Sequence, residues 1–429
     1  MLKLKKKTSL LILTAALALP SLSFAQAPAV EAQIPDIQIA AAAQAFSNVE
    51  RRVLAPNVAE YSFTVRVGSG PYDEIGVHRV VKEIAPNVPV HASRAVFLAH
   101  GDIWNFRAAF LTGAKTLPVF LAEKGVDVWG IDFRWTRVPA SVTDFSFMQN
   151  WGIEQDARDL GVALGVARVT RALTGSGLGK LYLLGWSRGG QISYVYLNGE
   201  SQLPRAVRQV KGFIPVDIFL KTDVEELRQA ACDRLAAAQG GPLESQNGVL
   251  FQTLGTLATV APNDPSPIPL FPGFTNRQAA LFVGAATFQI FQPVPFYHFV
   301  GGTFDANGLP SGLLYTDPSV FFTFEAAASP YEPSKLVNDG EEITCDQTDV
   351  PFDDHLEDIT VPVLYVGAGG GFGEFGVYST TLLGSTDVTT HIVHTASPRV
   401  VDFGHADLFL AGDAQALVWQ PILDWVKTH

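Results

Sequence analysis

The central part of this sequence has a rhythm: short, continuously apolar runs alternate with stretches of helical spacing. Ala95 to Leu98, Val126 to Ile131, Lys180 to Gly185 and Val210 to Val216 are the apolar runs, and Phe106 to Lys124, Ile153 to Leu173 and Gln191 to Asn198 read as helices between them. A strand without polar alternation is apolar on both faces and needs cover on both. Such strands joined by helices make a parallel sheet wrapped on two sides, so the fold class is α/β. The rhythm stops after Asp217 and resumes with strands at Val361 to Gly367 and Val388 to Val393, then a closing helix at Leu408 to Lys427. Upstream, Tyr61, Phe63, Val65 and Val67 alternate with polar residues, and Ile75 to Ile84 follows a Gly-Pro-rich turn, the pattern of an antiparallel hairpin.

This organisation divides the chain into a core at 56–217 and 360–429, with an insertion at 218–359 rich in Pro, Gly and Phe. Ahead of the core, residues 26–55 read as a linker or arm. Residues 1–25 read as a signal peptide: Lys3, Lys5, Lys6 and Lys7 precede an apolar run from Leu10 to Leu19, and Ser23-Phe24-Ala25 offers a cleavage pattern. That run is far below the ~20 residues of a membrane span, and no later stretch is long and apolar enough for one. The expectation is an exported protein, periplasmic or extracellular, with no stable membrane span. Cleavage after Ala25 would take the formal charge from −12 to −16, a surface that repels nucleic-acid phosphates. The two cysteines, Cys232 and Cys345, lie near the two ends of the insertion. In an oxidising compartment the simplest expectation is one disulfide; two separate thiols are the alternative. No cofactor and no metal site is expected, since no Cys or His cluster has ligand spacing.

Chemistry concentrates at strand ends. Gly185-Trp186-Ser187-Arg188-Gly189 follows the strand Leu181 to Leu184 and opens a helix. A serine on so tight a strand-to-helix turn needs small neighbours. It stands exposed over the sheet edge, at a helix N-terminus that favours developing negative charge. Ser187 is the candidate nucleophile. His405, in Asp402-Phe403-Gly404-His405-Ala406-Asp407 just before the closing helix, is the candidate base, reaching the same sheet edge. His100-Gly101-Asp102-Ile103 directly follows another strand, a place where a loop turns its amide toward a substrate carbonyl. The N–H groups of Asp102 and Arg188 are the expected oxyanion donors, and His100 reads as structural.

Those three segments together resemble the α/β-hydrolase superfamily, and are similar to lipases and esterases of the acid-lipase type. The likeness covers roughly 60–217 and 360–429; the insertion has no counterpart. The resemblance implies a mostly parallel eight-stranded sheet, a Ser–His–acid triad and a cap after the sixth strand. The acid departs from the commonest pattern. The strand that usually precedes it opens into a run of glycines from Gly367 to Gly373, and the first carboxylate beyond is Glu374. Some members carry the acid one strand earlier, where Asp217 ends a buried strand. Asp217 is favoured, with Glu374 the alternative.

The implied function is hydrolysis of carboxylic esters through an acyl-enzyme, with a small-molecule or lipid-like ester as substrate. The insertion's phenylalanines, among them Phe251, Phe282, Phe322 and Phe324, form the cap's own core or line an apolar pocket, and Trp104, Trp135 and Trp186 lie near the expected site. Arg188 either meets a substrate carboxylate or pairs with a nearby acid. A peptidase, an acyltransferase or a catalytically silent binding protein would use the same fold.

Overall fold

The computed structural model describes residues 46–429. The signal peptide and most of the arm read from the sequence lie outside them. The main sheet has ten strands, one of them the two-residue Val88–Pro89 that hangs off its neighbour. We label the rest β1 (Phe46–Ala55), β2 (Val58–Arg66), β3 (Glu74–Ala85), β4 (Arg94–Ala99), β5 (Val126–Asp132), β6 (Leu181–Trp186), β7 (Val210–Val216), β8 (Val363–Ala368) and β9 (Val388–Val393). They lie side by side in the order β1-β2-β3-β5-β4-β6-β7-β8-β9. β1 to β3 pair antiparallel, as does β3 with β5, and every pair from β5 onward is parallel.

Burial follows the strand period of two. Val96, Leu98, Val128, Leu184, Ile214 and Val216 belong to one buried cluster, and Ala95, Phe97, Trp129, Ile131, Leu183 and Phe213 to another. The two clusters occupy opposite faces, because successive side chains on a strand point to opposite sides. Helices Ile153–Leu173 and Arg188–Ser201 cover one face. Leu117–Glu123, Gln420–Thr428 and much of the insertion cover the other.

Four sequence expectations need correction. Residues 46–55, placed in the arm, form edge strand β1; it adds one strand ahead of the eight the resemblance implies, so the sixth of those is β7. The helix expected over Phe106 to Lys124 is two, Phe106–Phe110 and Leu117–Glu123, parted at Gly113 with φ +104°. The closing helix is also broken, into Asp407–Leu410, a π-helical turn at Gln415–Trp419 and Gln420–Thr428. The chain between β7 and β8, without legible rhythm in sequence, holds five helices: Glu225–Ala238, Asn247–Val260, Asn276–Ala285, Pro318–Ala326 and Ser334–Cys345. Its Phe251, Phe282, Phe321 and Phe324 sit in the same cluster as β4 and β6, so its core is continuous with that of the sheet.

A disulfide joins Cys232 to Cys345 across a sequence separation of 113, tying helix Glu225–Ala238 to helix Ser334–Cys345. Closing so long a loop is worth up to about 4–5 kcal/mol in chain-entropy models. The double variant Cys232→Ser/Cys345→Ser should therefore unfold at a clearly lower denaturant concentration than the oxidised parent. An unchanged midpoint would show that the bridge contributes nothing to stability.

Candidate active site

Ser187 lies between the end of β6 and helix Arg188–Ser201, which it caps, with φ 56° and ψ −130°. That conformation costs a non-glycine residue about 1–3 kcal/mol and persists only where its surroundings enforce it. Enforcement is visible at Gly189, where a Cβ would fall 2.3 Å from the Ala99 carbonyl oxygen, and at Gly101, where one would fall 2.7 Å from the Ser187 Cβ. Backbone at both places approaches closer than any side chain permits.

His405 and Asp217 are brought together. The His405 Nδ1 and the Asp217 Oδ2 are 2.7 Å apart, both groups fully buried. Facing a carboxylate, Nδ1 carries the proton and Nε2 is left as the basic nitrogen. The carboxylate is itself held by three amides: Ala368 and Gly373 donate to Oδ1 at 2.8 Å each, and Phe372 donates to Oδ2 at 3.1 Å. The glycine run after β8 is therefore a cradle for Asp217. A Cβ on Gly371 would lie 2.0 Å from Oδ2. Glu374, the alternative acid, is half exposed and paired with Arg399 at 2.9 Å.

The residue before Ser187 joins the two halves of the site. Trp186 stacks on the His405 ring at 4.9 Å, which puts Ser187 and His405 at the same sheet edge. Phe372, Tyr297 and Phe299 lie 5.5, 5.4 and 5.9 Å from the imidazole, so it stands among aromatic rings. His100 takes a structural place, as read: Nδ1 donates to the Gly101 carbonyl at 2.9 Å, and the ring packs on Phe133 and Trp135. Burial pushes its pKa down to about 4, so it is neutral.

The two expected oxyanion donors are linked through their side chains. Arg188 Nε donates to Asp102 Oδ1 at 2.9 Å and Nη2 to Oδ2 at 3.3 Å, and Arg188 also contacts Gln191. This is the nearby acid, and it leaves the guanidinium no free fork for a substrate carboxylate. Desolvation raises the Asp102 carboxyl, but the Arg188 charge and a hydrogen bond from Glu332 outweigh it and hold the pKa below the usual range. Glu332, buried in the insertion, is pushed well above its ordinary pKa by burial and then by Asp102. It stays protonated and can donate. Neither the Asp102 nor the Arg188 amide donates a hydrogen bond to any described residue.

No protein-family model matches the sequence, and no curated protein matches it significantly. Among solved structures, the chain superposes on a Sulfolobus solfataricus protein provisionally called a lipase. The TM-score is 0.58 at 19% identity, covering 89% of this chain and 99% of that one. The fold is that of the α/β-hydrolases. Epoxide hydrolase A from Mycobacterium thermoresistibile (15% identity, TM-score 0.43, 89% of this chain and 98% of that one) and a Thermogutta terrifontis esterase (13%, 0.41, 86% and 98%) align less closely.

In this fold the insertion supports His405 directly, which sequence reasoning missed. His405 N donates to the His298 carbonyl at 3.1 Å, and Ala406 N to that of Phe299 at 2.6 Å. Asp407 completes the junction, accepting from Thr316 Oγ1 at 2.6 Å and from the Gly301 and Gly404 amides at 2.7 Å each. Its burial raises its pKa to about 7. The one available signal was the glycine run, since clustered glycines mark close backbone approach.

The geometry separates the two carboxylates experimentally. Asp217→Asn should slow labelling of Ser187 by a fluorophosphonate by about 10³–10⁴-fold, because an amide favours the wrong histidine tautomer. Gly371→Ala should also slow it severely, whereas Glu374→Gln should change it less than about twofold. A slow Glu374→Gln beside a fast Asp217→Asn would reverse the assignment.

Proposed function

We propose that this chain is an exported serine hydrolase that cleaves carboxylic esters with apolar acyl groups. The observation that carries the reading is the juxtaposition of a strained serine at a helix N-terminus with a buried imidazole–carboxylate pair at the same sheet edge. In the proposed mechanism His405 Nε2 takes the Ser187 proton while the serine oxygen attacks the ester carbonyl. Asp217 holds the imidazole in the productive tautomer and stabilises the cation. The amides of Asp102 and Arg188 receive the oxyanion; one such donor is typically worth about 3–4 kcal/mol of barrier. Collapse passes the proton from His405 to the leaving alcohol. A water then gives its proton to the same nitrogen, attacks the acyl-enzyme and regenerates Ser187.

An apolar acyl group is supported by the aromatic rings packed around the site. Beyond the rings around His405, Trp104 stacks on Phe324 at 3.7 Å, and Phe324 lies 6.2 Å from Trp186. Lipid-like esters suit surroundings of that kind. Export is supported by the leader-like first 25 residues and the disulfide, a bond that persists in oxidising compartments. No helix of the described residues is long and apolar enough to cross a membrane.

The reading predicts hydrolysis of p-nitrophenyl esters across a graded series of acyl lengths, with Ser187→Ala abolishing both turnover and fluorophosphonate labelling. Folded wild-type protein that is neither labelled nor active would end it.

A further inference from the structure

The ion pair that links the two proposed oxyanion donors, Arg188 with Asp102, is enclosed by the insertion. Gly340, on helix Ser334–Cys345, lies so near the guanidinium that a Cβ there would fall 1.9 Å from Arg188 Nη1. The Ser329 amide donates to the Ile103 carbonyl at 2.5 Å, one residue beyond Asp102. Between these two contacts in sequence stands Glu332, 2% exposed and held in a short ribbon by pairing with Ser245. Its carboxyl is hydrogen-bonded to that of Asp102, which is itself partly exposed at the edge of the cluster.

Charge decides which of the two acids carries the proton. Arg188 is forked onto Asp102, so that pair is already neutral. No donor among the described residues reaches Glu332 Oε1. The other charged group facing Glu332 is Asp156 of helix Ile153–Leu173, a buried acid whose Oδ1 also lacks a partner and whose Oδ2 accepts from Trp135 Nε1 at 3.0 Å. Beyond these, Glu341 acts on Arg188 and His405 on Asp102. An ionised Glu332 would be a buried charge without a cation of its own, set against a second carboxylate. It therefore keeps its proton and gives it to Asp102. The Asp102 side chain is fixed from two sides, by a cation on the helix after Ser187 and by an acid from the insertion.

An oxyanion donor is effective only where its N–H meets the developing charge. We propose that Glu332 is a positioning residue: the proton on its carboxyl holds the Asp102 side chain, and through it the Asp102 amide, in place opposite Ser187, so that the rate falls when that proton leaves. This role rests on the serine-ester reading above. At neutral pH the acid is uncharged and the contact is closed. As pH rises through its elevated pKa, Glu332 becomes anionic, repels Asp102 and competes with it for Arg188, so the loss lies on the alkaline side. Protonation of the base His405 acts on the acid side, with the opposite sign.

The test follows p-nitrophenyl octanoate hydrolysis and fluorophosphonate labelling across pH for full-length wild type, Glu332→Met and Glu332→Gln. Methionine has a similar length and no donor; glutamine donates but does not titrate. Glu332→Met should lower kcat about ten- to a hundredfold at neutral pH with KM little changed, since the oxyanion contact is made in the transition state. Glu332→Gln should restore most of that rate and sustain it beyond the pH at which wild type declines. Three results each overturn the proposal: a folded Glu332→Met with wild-type kcat, a wild-type rate that stays flat over the alkaline range in which near-UV circular dichroism is unchanged, or an alkaline decline that Glu332→Gln retains. Glu332→Gln against wild type decides alone if Glu332→Met does not fold. Any of these results in protein that is labelled at Ser187 and active sinks only the role of Glu332. Wild type that is neither labelled nor active sinks the serine-ester reading, and the role of Glu332 with it.

Discussion

The site depends on how one carboxylate is held. Asp217 is fully buried at the end of β7, and an isolated ionised carboxylate in such a place costs several kcal/mol. Three backbone amides and the His405 ring supply four donors to its two oxygens. That set requires the chain after β8 to fold back over the end of β7. The turn is tight enough that Gly371 has no room for a methyl group. The parallel pairing of β7 with β8, with Val216 beside Val366, brings the loop there. Sheet register, glycine run and imidazole orientation are thus one device.

The insertion is part of that device rather than a separate cover. Main-chain hydrogen bonds from His405 and Ala406 run to His298 and Phe299, and Asp407 binds the amide of Gly301. His298 faces a carbonyl oxygen with each ring nitrogen, Phe296 through Nδ1 and Asp402 through Nε2. Burial lowers its pKa, and a neutral imidazole can donate to only one of the two. On the other side, the protonated Glu332 of the insertion meets Asp102. The insertion therefore touches both His405 and Asp102.

Much of this was legible in sequence, and for a physical reason. Strands buried on both faces are apolar throughout, so β4 to β8 declared themselves, and residues at their C-terminal ends could be assigned to one edge before any coordinates. Asp217 and His405, distant in the chain, were paired by that argument and lie 2.7 Å apart. β1 was not legible because it is an edge strand whose Val49 and Val53 face solvent, which removes the apolar alternation that marks a strand. The helices of the insertion were hidden for the opposite reason. Two of them, Asn276–Ala285 and Pro318–Ala326, are short and apolar on several sides, so no polar stripe gave them a period. The glycine run marks close approach; glycine count alone does not distinguish that from slack.

Backbone strain gathers around the candidate site. Eight non-glycine residues among those described have positive φ. Asn48, Asn57, Asn87 and Asp346 are of the residue types that tolerate it best. Ile103, Ser187 and Phe296 are not, and Asp217 joins them as a buried group at a strand end. Ile103 follows the proposed oxyanion donor Asp102, Ser187 is the proposed nucleophile, Asp217 holds the histidine, and Phe296 directly precedes Tyr297. Strain of about 1–3 kcal/mol apiece survives only where the surroundings over-determine the conformation. Here the surroundings are the close-packed strands β4, β6, β7 and β8 and the segment of the insertion bound to the histidine loop. A fold that needed only to be stable would place small or asparagine-like residues at such turns; an isoleucine, a serine and a phenylalanine held there together mark an edge shaped for what it must bind.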